Sequence, residues 1–295
     1  MTPRSRLAAW LELARLSNAP TVVSGAFCGV ALAGAGGVGE LRWVAFMNGA
    51  LAGVFMYSGG MVLNDAVDAE TDASERPGRP IPSGRVPRMQ AFAGGIAALV
   101  AGVGMVATSG APAIQLAVAL AICVVLYDLS HAYAAASVVL LGGCRGLVYL
   151  LAYSAATRAD PWGARGMCLL AAGVSVYTAM FSLIARREVG PRPVWTRRLA
   201  WVIPVCVLGA IVLAQPRPAI ATVLAAFVLL AWQVWCASLW SRASAKPVHA
   251  VMRWIAGICL IDAAAVCAMA DWKLACVPLA CFLVTLGLQR RILGS

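Results

Sequence analysis

NDAVDAETDASERPGRPIPSGRVPR, residues 64–88, follows directly on a long apolar run and holds five acids (Asp65, Asp68, Glu70, Asp72, Glu75) and four arginines (Arg76, Arg79, Arg85, Arg88). Charge is otherwise scarce in this 295-residue chain, where 12 % of residues are charged against 62 % apolar. If the helix of the apolar run continues into this stretch, Asp65, Asp68 and Asp72 fall on one face, within an arc of roughly 60°. Three carboxylates so placed repel one another unless something positive lies between them. Because every donor is an oxygen, the expected occupant is Mg²⁺ or a similarly hard cation. From Pro77 onward, prolines at 77, 80 and 82 together with Gly78 and Gly84 end the helix and hold the arginines in a bent segment near the membrane face.

Outward from this stretch the chain is apolar on both sides, and the mean hydropathy of +0.84 lies outside the range of soluble domains. Apolar stretches near 19–37, 42–63, 90–109, 112–127, 136–155, 166–185, 198–214, 218–240, 251–270 and 273–289 have the length needed to cross a bilayer. The expectation is an all-α polytopic bundle of nine to ten transmembrane helices forming a single domain over residues 1–295. With ten spans and the N-terminus inside, 17 of the 23 basic residues fall on the cytoplasmic side and five outside, leaving Arg145 within a span. That asymmetry predicts an integral protein of a bacterial inner membrane with the N-terminus and the 64–88 loop cytoplasmic. Residues 5–16, where Glu12 and Arg15 interrupt the apolar pattern, predict an interfacial helix ahead of an uncleaved first span.

Several function classes fall away. No soluble basic domain with interleaved aromatics exists to bind nucleic acid, so the net charge of +11 reads as a topology signal, with anionic lipid or substrate second. The ten cysteines are scattered singly without a C-x-x-C pair, against a disulfide framework or a zinc site. A calcium loop from Asp68 would need Gly and Glu where Ala73 and Arg79 stand, and no phosphate-binding Gly-Lys-Ser/Thr loop is present.

A second basic loop, RREVGPRPVWTRR at 186–198, resembles the first in layout, and aligning Tyr57 with Tyr177 sets Asp68 opposite Glu188, as an internal repeat would. Polar residues in or beside spans are costly and therefore informative. Asp128 and His131 stand where they could face the same pocket as the acidic stretch, or simply cap a helix. Arg145 is expected to have an internal partner or to reach a phosphate, and Asp262 to pair with another helix. Trp43, Trp162, Trp195 and Trp272 lie at span ends, where interfacial anchoring accounts for them.

Metal-binding aspartates ringed by arginines at a membrane face suit a ligand that is both lipidic and polyanionic, as a prenyl diphosphate is. Asn64-Asp65-Ala66-Val67-Asp68-Ala69-Glu70-Thr71-Asp72, with Arg76-Pro77-Gly78-Arg79-Pro80-Ile81-Pro82-Ser83-Gly84-Arg85 behind it, resembles the first aspartate-rich motif of the UbiA superfamily of intramembrane prenyltransferases. Arg15 to Asn18, Tyr127, and LLGGCRGLVYLL around Arg145 resemble other parts of the same family. The resemblance implies a bundle around a central lipid-accessible cavity and Mg²⁺-dependent transfer of a prenyl group from a prenyl diphosphate to an aromatic or other lipophilic acceptor, through an allylic carbocation. It implies Asn64, Asp65, Asp68 and Asp72 as metal ligands, with Asp65 and Asp68 central to catalysis. The substrate-binding set would be Asn64, Arg76, Arg79, Arg85, Tyr127, Arg145, Arg186, Arg187 and Glu188. The family's second aspartate-rich motif is replaced here by Ser182-Leu183-Ile184-Ala185-Arg186-Arg187-Glu188, as in a divergent, EboC-like branch, so Arg186 and Arg187 are expected to supply fixed positive charge where a second metal would stand. A terpene cyclase acting on the same diphosphate and a non-catalytic lipid carrier are the alternatives.

Overall fold

The computed structural model describes residues 3–34, 42–130, 134–187, 192–214, 220–242 and 247–291, with side chains left out of account at 3–5, 134, 208–214 and 291. Twelve α-helices are present among the described residues. Two are short: α1 (Pro3–Leu13) and α4 (Ala69–Glu75). The other ten are long: α2 (Ala19–Gly34), α3 (Trp43–Val67), α5 (Arg88–Met105), α6 (Ala111–Leu129), α7 (Ala134–Thr157), α8 (Arg165–Ala185), α9 (Val194–Ala214), α10 (Ile220–Ser241), α11 (Pro247–Met269) and α12 (Cys276–Arg291). Among the described residues nine stretches are long and apolar enough to cross a membrane, all but α9 of these ten helices, with α2 and α12 each extended by an adjoining 3-10 turn. The chain is an integral membrane protein, and the ten long helices coincide with the ten apolar stretches read from sequence.

α2 and α11 are the innermost helices, whereas in α5, α6, α10 and α12 only 22 to 33 % of the spanning stretch is buried. Their outward residues are apolar: Val100, Phe227 and Leu283 are between 67 and 70 % exposed, as a lipid-facing surface requires. Trp43, Trp162, Trp195 and Trp272 are likewise exposed and sit at helix ends.

Small residues set the spacing of the inner helices. A Cβ on Gly29 would lie 2.6 Å from the Tyr149 carbonyl oxygen, and one on Gly142 would lie 2.4 Å from that of Ser175. Glycine thus lets α2 approach α7, and α7 approach α8, backbone to backbone, which substitutes for a hydrophobic driving force that lipid cannot provide.

Deep in the bundle, Asp262 of α11 is fully buried and accepts hydrogen bonds from Ser24 Oγ of α2 (2.6 Å) and from the Tyr149 hydroxyl of α7. The expectation that Asp262 pairs with another helix is met twice over. Tyr177, aligned with Tyr57 in the repeat reading, is buried against Gln233 and the Trp254 carbonyl, and the two tyrosines line different cavities. His131 and Glu188, named beside Asp128 and Asp68 in the sequence, lie outside the described residues.

Candidate active site

The acidic stretch does continue α3, with a break at one residue. Asp68 (φ −79°, ψ 3°) separates α3 from α4, yet the Asp68 amide donates to Asn64 O and the Asp72 amide to Asp68 O, so the i→i−4 ladder runs through the bend. Asp65 and Asp72 consequently face the same way, and both are buried. The positive charge between them belongs to Arg79, whose Nη1 lies 2.6 Å from Asp72 Oδ2 and 3.4 Å from Asp65 Oδ1. Arg79 is itself buried, held there by the turn at 77–87, in which Gly84 takes φ +73°.

Asp65 has a second cation. Arg15 Nη2 lies 3.2 Å from its Oδ1, and Arg15 occupies the left-handed region (φ 45°, ψ 46°) where the chain turns from α1 toward α2. Burial opposes the charge on Arg15, but the Asp65 carboxylate and its hydrogen bond override it, so the guanidinium pKa is raised above its ordinary value. Arg85 is directed away from the acids. It bonds Glu12 of α1 through both amino groups (2.8 and 3.3 Å) and the Gly78 carbonyl, which ties the loop to α1. Arg88 joins Glu70 and the Ala66 carbonyl, and Arg76 is exposed at the end of α4.

Residues from three other helices complete this end of the bundle. Asn64 Nδ2 donates to Asp128 Oδ1 of α6 at 3.4 Å, while the other oxygen of Asp128 is buried without a partner. Asp128 feels the charges of both Asp68 and Asp65, and Tyr127 beside it feels Arg15 and Arg186. Arg186, at the end of α8, is exposed and bonds Ser137 Oγ of α7 (2.8 Å); Arg187 is exposed beside it.

Below this polar mouth lies a cavity of about 190 Å³. Arg15, Asn18, Tyr57, Tyr127 and Arg145 line its polar part, and Met56, Leu120, Val124, Val148, Phe181 and Ile258 its apolar part. Arg145, midway along α7, donates to the Thr21 hydroxyl of α2. Of the residues named from sequence, Tyr127 and Arg145 line this cavity, Asp65 meets it through Arg15, and Asp68, Asp128 and Arg186 lie at its mouth around Tyr127. Sequence reasoning missed Arg15, Thr21 and Tyr57 as parts of one pocket, although Arg15 broke an apolar pattern and was visible as an anomaly.

Does this arrangement fit Mg²⁺? Among the described residues no three acidic side chains converge into a cage. Mg²⁺ does not require one: it commonly takes one or two carboxylates and completes its shell with water and substrate phosphate. The oxygen-only donors around Asn64, Asp65, Asp68 and Asp128 fit that mode, and the orphaned Asp128 oxygen is the kind of buried atom a cation would satisfy. Asp72 fits it less well, since Arg79 already neutralises it at 2.6 Å.

The fold and site thus combine a mouth of oxygen donors and guanidinium groups with an apolar cavity inside a helical membrane bundle. The UbiA prenyltransferase family profile matches residues 22–257, and the chain belongs to that family. Two digeranylgeranylglyceryl phosphate synthases are similar over part of their length. The one from Methanopyrus kandleri is 41 % identical over 97 residues, which is 33 % of this chain and 34 % of that protein. The one from Ignicoccus hospitalis is 40 % identical over 86 residues, 29 % of this chain and 26 % of the relative. The matched stretch thus spans about a third or less of these relatives. Among solved structures, one concerning digeranylgeranylglyceryl phosphate synthase in membranes superposes with a TM-score of 0.59 at 18 % identity, covering 96 % of this chain and 99 % of that one. A UbiA homolog from Archaeoglobus fulgidus bound to GPP and Mg²⁺ superposes with a TM-score of 0.55 at 15 % identity, covering 88 % and 99 %. At these identities the likeness concerns the fold.

Proposed function

We propose that this protein transfers a prenyl group from a prenyl diphosphate to a lipophilic acceptor inside the bundle. The observation that carries this reading is the continuity of the site: acids and arginines at the mouth open into an apolar cavity, so one ligand can place its diphosphate in the first and its tail in the second. In the reaction the allylic C–O bond breaks, diphosphate leaves with the electron pair, the acceptor forms a bond to the prenyl carbon, and the acceptor's proton is lost.

Asn64 with one or two of the carboxylates of Asp65, Asp68 and Asp128 would hold Mg²⁺, which when bound would neutralise charge on the departing diphosphate. The remaining work belongs to side chains. Arg15 and Arg79 hold Asp65 in place and keep the buried acids from repelling one another before substrate arrives. Arg186, poised on Ser137, lends fixed positive charge to the mouth in place of a second metal. Met56, Val124, Val148 and Phe181 keep water from the prenyl carbon as charge develops there. The family resemblance implied an aromatic or other lipophilic acceptor; that both relatives are named for a product built on glyceryl phosphate supports keeping lipophilic acceptors of either kind in this reading.

The deciding experiment incubates purified protein with labelled prenyl diphosphates of several lengths, Mg²⁺ and a lipid extract. A labelled lipid and free diphosphate are expected. Chelating Mg²⁺, or Asp65→Ala/Asp68→Ala, abolishes both, and product that survives either treatment refutes the metal assignment. Diphosphate released without any acceptor, with a cyclised hydrocarbon as product, identifies a cyclase instead. Bound donor that is never consumed identifies a carrier.

A further inference from the structure

We infer that the cavity contains a second anion-binding subsite, distinct from the acidic mouth, in which Arg145 receives an acidic head group of a lipid, a phosphate or a carboxylate. As a head group for the acceptor, this rests on the transfer reading; as a binding site, it does not.

Arg145 is anchored midway along a membrane-spanning helix, where an uncompensated guanidinium is costly. Among the described residues no carboxylate lies within ion-pair distance of it. The nearby acids are committed elsewhere: Asp65 to Arg15 and Arg79, Asp128 to Asn64, and Asp262, one layer deeper, to Ser24 and Tyr149. Its bond to Thr21 uses one of five N–H donors. Thr21 in turn donates to the Asn18 carbonyl at 2.7 Å, so its hydroxyl orients as an acceptor toward Arg145 and aims the guanidinium at the cavity.

A second, independent atom points the same way. Thr178 of α8 lines the cavity, is 6 % exposed, and its Oγ1 is buried without a hydrogen-bond partner. The close contact of Gly142 with Ser175 and Ala179 puts Thr178 at the level of Gly142, one turn nearer the mouth than the Arg145 Cα, where an extended arginine places its head. Asn18 and Tyr57 line the same cavity. An oxyanion here would receive two parallel N–H bonds from Arg145 and a hydroxyl bond from Thr178. The wall below it is apolar, so the occupant's body is hydrocarbon.

The test uses purified protein in lipid nanodiscs without donor, and measures binding of hexadecyl phosphate, palmitate, hexadecanol and inorganic phosphate. Hexadecyl phosphate and palmitate are expected to bind at least about tenfold tighter than hexadecanol, the worth of a charge-assisted bidentate contact. Arg145→Gln should reduce both to the affinity of hexadecanol without changing hexadecanol itself. Thr178→Val, a near-isosteric change that keeps the fold even if Arg145→Gln does not, should weaken the acids by about fivefold, one hydrogen bond. Arg165→Gln, at the opposite end of α8, should change nothing. Equal binding of acid and alcohol overturns the inference, as does a loss in Arg145→Gln or Thr178→Val that is the same for all the lipids. Inorganic phosphate binding as tightly as hexadecyl phosphate overturns the lipid assignment. A final arm measures prenyl diphosphate with Mg²⁺: Arg145→Gln is expected to weaken it less than it weakens hexadecyl phosphate, and an equal or larger loss would place Arg145 in the diphosphate site instead. A protein that binds the acids but consumes no donor would refute the transfer reading while leaving this site standing.

Discussion

At the scale of single residues, the site is governed by how its buried charges are compensated. Asp72 and Arg79 are both buried and lie 2.6 Å apart, so removing one strands the other in a medium that solvates it poorly. Arg79→Met is expected to lower stability by about 3–5 kcal/mol, and Asp72→Asn to cost less, since Arg79 keeps Asp65. The double variant should be more stable than Arg79→Met alone, a non-additivity that thermal melting in detergent would reveal. Asp262 presents the same logic without a cation. Asp262→Ala leaves the Ser24 and Tyr149 hydroxyls without their acceptor and should cost about 2–4 kcal/mol, whereas Asp262→Asn keeps an acceptor oxygen and should cost less than half as much. If the two substitutions melt alike, the buried network carries no such energy.

At the scale of helices, the ten long elements were legible because their apolar runs were long and charge interrupted them only at the ends. The break at Asp68 was not legible, since nothing in Val-Asp-Ala-Glu forbids a continuous helix; the turn at 76–87 has to bring Arg79 back between Asp65 and Asp72, and that is a tertiary demand. Arg85 shows the same limit. Its motif position suggested diphosphate, and only the fold puts Glu12 of α1, distant in sequence, within 2.8 Å of it. Helix spacing was also invisible in composition, because adjacent glycines of α7 have opposite surroundings. A Cβ on Gly142 would lie 2.4 Å from the Ser175 carbonyl oxygen, whereas one on Gly143 would meet nothing within 4 Å. Gly142→Ala should therefore force α7 from α8 and cost about 1–3 kcal/mol. Gly143→Ala should be neutral or stabilise by up to about 1 kcal/mol through helix propensity. Paired melting curves decide this, and equal effects would mean that glycine does not set the α7–α8 distance.

At the scale of the whole molecule, one end of the bundle gathers almost all of the chemistry, and this bears on its orientation. The ends of α3, α6 and α8 and the beginnings of α2, α5 and α7 meet there, carrying Asp65, Asp128, Arg186, Arg15, Arg88 and Ser137. The turn at 158–164 lies at the opposite end, because α7 runs the length of the bundle between Ser137 and it. Basic residues retained on the cytoplasmic side would put the mouth there, where water-soluble Mg²⁺ and prenyl diphosphates have direct access and released diphosphate can leave. Both faces can be addressed in intact cells with a short epitope inserted at one of two places. Inserted after Ala159 it should be accessible to an impermeant antibody, and inserted after Ser83 it should become accessible only on permeabilisation. The reverse pattern would put the acidic mouth outside, and the donor would then have to cross the membrane before it could react.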